Sequence, residues 1–359
     1  MDARLTIAMA ALSLTAAIAT AAPYTPRSDA AVLAEVPPGT AHITALQITR
    51  TRLDVALPLA QFYITRSRAT GDLRFLGYAE ATLQPWSNQP AALVLHATIL
   101  QSRHAFEASL QELNRVLALQ PDNSQAWLTR ATVLRVLGRY EQATTSCDRI
   151  ADAAITTLCD ASIRSLTGHL ESAYDTLVSL PTQALSDAAR TWRYSELGEM
   201  AERLGRDDAA ERWFTDGLRL APDDLYTRAA YADLLLRQGR NAEVLPLLAD
   251  YRSMEPMLLR IALATRTDTA AQTLANAFSV EEQRGDAVHR REQARFLLDV
   301  AHQPAQALAV ARENWRTQRE PDDILILLRA ARAAHSPGDA APALEFIRQH
   351  RLEDRRLGL

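Results

Sequence analysis

Residues 191–224, TWRYSELGEMAERLGRDDAAERWFTDGLRLAPDD, contain two amphipathic segments separated by the turn Leu204-Gly205-Arg206-Asp207. Apolar and small residues recur three or four positions apart in both segments, which predicts two helices that face each other. Gly198 suits a close approach of a neighbouring helix, because glycine has no side chain. Pro222 ends the second segment, since proline cannot continue the helical hydrogen-bond ladder. The stretch therefore predicts a helix–turn–helix unit.

The spacing of small, aromatic and turn residues in this unit recurs elsewhere in the chain. Further units with this pattern are 90–123, 124–153, 154–181 and the stretch from Leu225. The pattern is strong over 90–251, weak over 43–86 and only suggestive over 257–350. These units resemble the tetratricopeptide-repeat (TPR) family, whose repeat is a helix–turn–helix of about 34 residues. The resemblance implies an all-α solenoid of about seven or eight stacked helix pairs, since one pair cannot bury its apolar face alone.

Composition and pattern strength divide the chain into five predicted regions. They are a signal peptide at 1–21, a flexible leader at 22–41, a degenerate helical repeat at 42–86, a TPR array at 87–255 and a divergent TPR-like helical region at 256–359. In the last region we expect helices at about 257–265, 268–283, 288–302, 304–318, 323–334 and 339–350. We also expect a long helix over 46–66 and a turn at Arg284-Gly285-Asp286. Pro246 should kink the second helix of its unit or delay its start.

The first residues have the form of a secretory signal. Arg4 precedes an apolar run from Leu5 to Ile18, and Ala19-Thr20-Ala21 offers an A-x-A cleavage site. We therefore expect cleavage after Ala21 and an exported, periplasmic protein without a membrane span after processing. An uncleaved membrane anchor is the alternative, although the run is weakly hydrophobic for a spanning helix.

Export changes the interpretation of the two cysteines, Cys147 and Cys159. They lie about equally far from the turn expected near Ala153, so an antiparallel helix pair places them side by side. Because oxidising compartments favour disulfides, we predict that the two residues form one. The alternative is a pair of buried free thiols.

Charge and motifs exclude several functional classes. The formal net charge is −4, so bulk charge does not indicate nucleic acid or a membrane surface as a partner. None of the eight histidines has metal-ligand spacing, and the sequence has no P-loop, G-x-S-x-G or Rossmann pattern. Acid pairs such as Asp223-Asp224 fall at helix starts, where carboxylates cap free N–H groups. We therefore expect no enzyme activity, no catalytic residue, no metal site and no cofactor.

In TPR proteins the first helices of successive repeats line a concave groove that binds an extended peptide or a partner's helix. The resemblance places these residues in the groove: Gln125, Leu128, Thr132, Arg135, Trp192, Ser195, Glu199, Glu202, Tyr226, Asp233, Leu236 and Arg237. The best-known clamp of the family holds a C-terminal carboxylate with Lys and Asn, which these positions lack. Their mixture of arginine, acids and aromatic residues suits a mixed-charge or partly apolar partner, and an ordinary solvated helix face is the alternative.

The sequence thus indicates a protein–protein interaction scaffold or adaptor of the cell envelope that binds a protein or peptide on its concave face. The partner and the oligomeric state are open. One alternative is an enzyme or metal-handling protein with a site in the divergent C-terminal half, where His289, Glu292 and His302 lie. A self-assembling structural scaffold is the other.

Overall fold

The computed structural model describes residues 52–284 and 288–358, and over these residues it contains eighteen α-helices and no strand. The predicted all-α class is therefore confirmed. The signal peptide, the leader, the expected helix start at Leu46 and Gly285-Asp286 of the expected turn lie outside the described residues. No helix of the described part is long and apolar enough to cross a membrane.

The helices form nine consecutive pairs. The first five pairs are α1 (Leu53–Thr70) with α2 (Arg74–Leu83), α3 (Pro90–Ser102) with α4 (Phe106–Leu119), α5 (Ser124–Val136) with α6 (Tyr140–Cys147), α7 (Ala153–Arg164) with α8 (Leu170–Ser179), and α9 (Asp187–Arg203) with α10 (Asp207–Leu220). The other four are α11 (Leu225–Arg237) with α12 (Asn241–Leu247), α13 (Glu255–Thr265) with α14 (Asp268–Arg284), α15 (Arg290–Asp299) with α16 (Pro304–Trp315), and α17 (Pro321–Ala333) with α18 (Ala341–His350).

Each first helix contacts its own second helix and also the first helix of the next pair, from α1 through to α17. This is the stacking of a repeat solenoid, in which neighbours bury the apolar face that a single pair leaves open. The described part holds nine pairs rather than about seven or eight. The difference arises because the blurred C-terminal register still produces three complete pairs, with bounds close to those expected.

Local sequence explains how the first helices begin. In the third to sixth pairs, the residue before the first helix accepts a hydrogen bond from a backbone N–H of the first turn. These capping residues are Asn123, Asp152, Ser186 and Asp224. The caps satisfy donors that have no partner within the helix, which fixes where the helix starts.

The fifth pair, formed by α9 and α10, has the predicted close contact. A Cβ atom on Gly198 would lie 2.2 Å from Cε1 of Phe214, which is fully buried, so the two helices approach each other as only glycine allows. Pro246 does not delay the start of its helix, contrary to one of the two expected effects. Helix α12 begins at Asn241, ahead of the proline, and ends at Leu247. Pro246 therefore shortens the end of the helix, because it cannot donate a backbone hydrogen bond there.

The solenoid is wound so tightly that pairs six apart in sequence touch. Gly71, in the turn of the first pair, faces the side chain of Met254 at the start of the seventh pair. The third pair meets the ninth: the N–H of Arg319 donates to the carbonyl of Val136 at 2.8 Å, and the ring of Phe346 covers Gly138. One superhelical turn therefore takes about six pairs, and the start of the next turn packs against it.

The last residues extend this contact, which we call the seam. Arg351 lies against Gly168 in the turn of the fourth pair, and Arg355 lies against Gly205 in the turn of the fifth. The largest apolar core accordingly contains residues from both 106–166 and 294–357. At its centre, the ring of Phe346 is 5.8 Å from that of Tyr140 and 5.4 Å from that of Trp315.

Candidate partner-binding face

The inner face of the first helices encloses a narrow polar cavity of about 30 Å³. Side chains on one side come from α5, α9 and α11 and include Arg135, Glu199 and Tyr226. The seam supplies the opposite side through Arg291 and Glu320, together with other residues of the C-terminal half. The full lining is Arg135, Ser165, Leu166, Glu196, Glu199, Arg203, Tyr226, Arg291, Glu320, Pro321, Asp322 and Arg356.

Arg135 holds the two sides of the cavity together. Its Nη1 donates to Oε1 of Glu196 at 2.5 Å, and its Nη2 donates to Oε1 of Glu320 at 2.9 Å. Trp192 donates its indole N–H to the same oxygen of Glu196 at 3.0 Å. The side chains of Arg135 and Glu196 are only 15% and 6% exposed. Because these charges are desolvated, loss of one partner would leave an expensive unpaired charge.

Glu199 and Tyr226 form one accessible part of the cavity wall. The hydroxyl of Tyr226 donates a hydrogen bond to Glu199, while the residue as a whole remains 49% exposed. Burial, followed by repulsion from Glu196, raises the pKa of Glu199 to about 8. The carboxyl group is therefore mostly protonated at neutral pH, and it can donate as well as accept hydrogen bonds.

Two more of the predicted groove residues, Asp233 and Arg237, are fixed by ion pairs. Arg237 Nη1 lies 2.7 Å from Oε1 of Glu202. Asp233 accepts hydrogen bonds from Nη2 of Arg260 and from Nη1 of Arg295, both at 2.6 Å. These pairs join α9, α11, α13 and α15 along the inner face, and they occupy charges that would otherwise be free for a partner.

The remaining predicted residues differ in exposure. Gln125 is exposed, whereas Ser195 is buried and donates to the carbonyl of Trp192 at 2.8 Å. Leu128, Thr132 and Leu236 are half-buried. Of the predicted set, Arg135, Glu199 and Tyr226 line one cavity. Gln125, Tyr226 and Arg237 are exposed to solvent. It adds Glu196, Arg203, Arg291, Glu320 and Arg356, which the sequence reasoning missed.

The predicted disulfide is present. Cys147 and Cys159 are bonded, with a Cα–Cα distance of 5.7 Å. Cys147 is the last residue of α6 and Cys159 lies in α7, so the bridge joins the third pair to the fourth. Both residues are buried.

A second cluster is formed by three residues that do not line this cavity. Glu255, Glu281 and His289 offer ligand atoms that all lie within 4.8 Å of one another. Of the three residues named for the C-terminal alternative, His289 belongs to this cluster. Glu292 lies beside Arg291, with 3.8 Å between carboxylate oxygen and Nε.

Comparisons with known proteins bear on the fold. No protein-family model matches the sequence. No curated protein matches it at a significant level. Among solved structures, the APC/C hetero-tetramer Cut9-Hcn1 aligns with a TM-score of 0.53 at 13% identity, covering 82% of this chain and 60% of that chain. The chain thus spans less than two thirds of that structure's length.

Two further solved structures align at lower scores. A tetratricopeptide repeat protein from Parabacteroides merdae ATCC 43184 has a TM-score of 0.35 at 14% identity, over 77% of this chain and 98% of that one. The P58(IPK) TPR domain has a TM-score of 0.23 at 15% identity, over 79% and 98%. The similarity to the Cut9-Hcn1 structure shows the fold alone, which is an all-α solenoid.

Proposed function

We propose that this protein is a non-enzymatic interaction scaffold or adaptor that holds a protein or peptide at the inner face of its first helices. One observation carries the proposal. Arg135, Glu199 and Tyr226, which come from three different first helices, converge on a single cavity. A repeat solenoid produces such a composite surface because each repeat contributes the same side of its first helix.

The accessible part of this face indicates the kind of partner. Tyr226 presents an aromatic ring that is half exposed, with Glu199 directly behind it. Tyrosine offers a large contact area at a low cost in conformational entropy, and such residues are enriched where proteins bind one another. Deeper in the cavity, Arg135 is paired with Glu196 and Glu320. Such a lining favours a partner that brings its own hydrogen-bond donors and acceptors. The cavity itself is too narrow for an extended peptide, so the partner binds at its rim.

We further propose that the protein works in the cell envelope after export. The signal-like residues 1–21 support this, and so does the buried disulfide, since disulfides persist in oxidising compartments. The mass of the protein isolated from the envelope should correspond to cleavage after Ala21. It should also contain a Cys147–Cys159 linked peptide under non-reducing conditions. Free thiols, or an intact N-terminus in the cytoplasm, would contradict this localisation.

The binding face can be tested by in-cell photocrosslinking. A photoreactive residue is placed at Tyr226, and in a matched control at Leu119, which is 64% exposed on α4 and does not line the cavity. We expect a discrete crosslinked partner from position 226 and none from position 119. In a second experiment the photoreactive residue is placed at Gln125, in chains with and without Tyr226→Ala. The Tyr226→Ala chain should lose most of the crosslinked partner while its helical content is unchanged.

Other outcomes are equally informative. Adducts of the same partner from both positions would contradict binding at the inner face. A product formed only between copies of this chain would replace the adaptor with the self-assembling scaffold. Arg135 is unsuitable as the test position, because its replacement would break the ion pairs to Glu196 and Glu320 and so disturb the seam.

A further inference from the structure

We propose that Glu255, Glu281 and His289 form a binding site for one divalent transition-metal ion, such as Zn²⁺ or Mn²⁺. The three residues come from different elements of the seventh and eighth pairs. Glu255 is the first residue of α13, Glu281 lies in α14, and His289 directly precedes α15. Their side chains are 27%, 15% and 19% exposed, so the cluster is partly shielded from solvent yet open to a small ion.

The geometry around the imidazole is what points to a cation. Both carboxylates approach the same ring nitrogen: Nδ1 of His289 is 2.6 Å from Oε1 of Glu281 and 3.0 Å from Oε2 of Glu255. Two carboxylate oxygens and one ring nitrogen, from three different elements, thus converge on one small space, as the ligand atoms of a metal site do. An ion placed between the three atoms would be bound by all of them at once.

The charges lead to the same conclusion. Two glutamates that share one partly buried space repel each other, and a divalent ion between them offsets that repulsion more strongly than the single charge of a protonated His289. Two carboxylate oxygens and one imidazole nitrogen are ligands that Zn²⁺ and Mn²⁺ accept, and three protein ligands leave a fourth position for water. Ligand atoms around Zn²⁺ are about 3.3 Å apart, given bond lengths of about 2.0–2.2 Å. The distance from Nδ1 of His289 would therefore lengthen by about 0.3 Å to Glu255 and by about 0.7 Å to Glu281.

The spacing of the three residues in the sequence does not indicate a metal site. Glu281 and His289 are eight residues apart, with the end of a helix between them, and Glu255 belongs to the preceding first helix. No short sequence motif contains these three residues. The expectation of no metal site was based on such motifs, so it did not consider this set. In the fold, an ion here would tie α13, α14 and α15 together.

The chain contains a matched control. His96 also lies between two glutamates, at 3.7 Å from each, but Glu80 faces Nε2 and Glu112 faces Nδ1. The two carboxylates are thus on opposite sides of the ring and cannot chelate one ion together with it. The comparison separates a metal site from a histidine that is merely surrounded by acids.

The test is Zn²⁺ titration by calorimetry on the protein purified without a histidine tag and stripped with EDTA. We expect one Zn²⁺ per chain. Affinity should fall by more than about 100-fold in His289→Ala and in Glu281→Gln, and it should stay unchanged in His96→Ala. Because the ion takes the place of a proton on His289, affinity should rise between pH 6 and pH 8.

The absence of saturable binding would overturn the site, and so would equal binding by the wild type and the two site variants. Loss of binding in His96→Ala alone would place the ion elsewhere and also refute it. Glu281→Gln keeps the shape of the side chain, so it decides the matter if His289→Ala loses its helical circular dichroism. Zinc binding and partner crosslinking are separate measurements, and either proposal can fail without the other.

Discussion

His104, in the turn between α3 and α4, is a single side chain that responds to pH. Its backbone is in the left-handed region, with φ of 57°. Its ring stacks on Phe106. Its Nδ1 lies 3.2 Å from Nε2 of the Gln318 side chain, across the seam. Burial, followed by repulsion from Arg291, lowers the pKa of His104 to about 4, although Glu292 opposes the shift. The imidazole is therefore neutral in the folded protein at pH 7.

We predict that protonation of His104 destabilises the fold in mild acid. Below pH 6.5 the unfolded chain binds a proton at this histidine that the folded chain does not, so the free energy of unfolding falls until about pH 4. His104→Asn tolerates the left-handed backbone and does not titrate. Between pH 7 and pH 5 the wild type should lose about 2 kcal/mol more than this variant in urea denaturation. Parallel losses would refute the assignment.

Two glycines test packing at the scale of the helix pair. In Gly198→Ala the new Cβ would meet Phe214 at 2.2 Å, which overpacks the contact between α9 and α10. We expect a loss of about 1–3 kcal/mol or more in stability. A Cβ atom on Gly77, inside α2, would meet no neighbouring atom within 4 Å, so Gly77→Ala should instead stabilise the helix by about 0.5–1 kcal/mol. Thermal unfolding of both variants measures the contrast, and equal effects would contradict it.

At this scale most of the structure could be predicted from the sequence. Apolar spacing located the helices of the C-terminal half, such as 268–283 against the observed Asp268–Arg284. Capping residues and turn glycines are local signals, so they mark helix ends without knowledge of the rest of the fold. The place of Pro246 within its helix was mispredicted, because that place depends on where the helix begins. Asn241 starts α12 early enough for the proline to fall near its end.

The seam is tested at the scale of the whole molecule. Phe346, which is 6% exposed, fills the space between Gly138, Tyr140 and Trp315, whereas Phe62 is 44% exposed on α1. We predict that Phe346→Ala costs about 3–5 kcal/mol and speeds hydrogen exchange in the turn at Gly138. Phe62→Ala serves as the control and should change both little. Normal protection of the turn in Phe346→Ala would show that the seam is not held at this point.

The seam also explains why some residues of the candidate site could not be predicted from the sequence. The inner-face positions Arg135, Glu199 and Tyr226 were implied by the family resemblance, and they do meet at one cavity. Their partners from the C-terminal half do not follow, because Glu320 lies 185 residues beyond Arg135. Periodicity describes neighbouring repeats. It contains no information about how many repeats complete a superhelical turn, so the narrowness of the cavity was not predictable.

The contact between pairs six apart also restricts how this chain can change in length. An open solenoid can gain or lose one repeat in its middle, because each repeat contacts only its neighbours. Here, deletion of one pair between the third and the ninth would move every later element by one position along the seam. Val136 would lose Arg319, and Arg135 would lose Glu320, in the same event. The fold thus fixes its own repeat number, as a closed ring does.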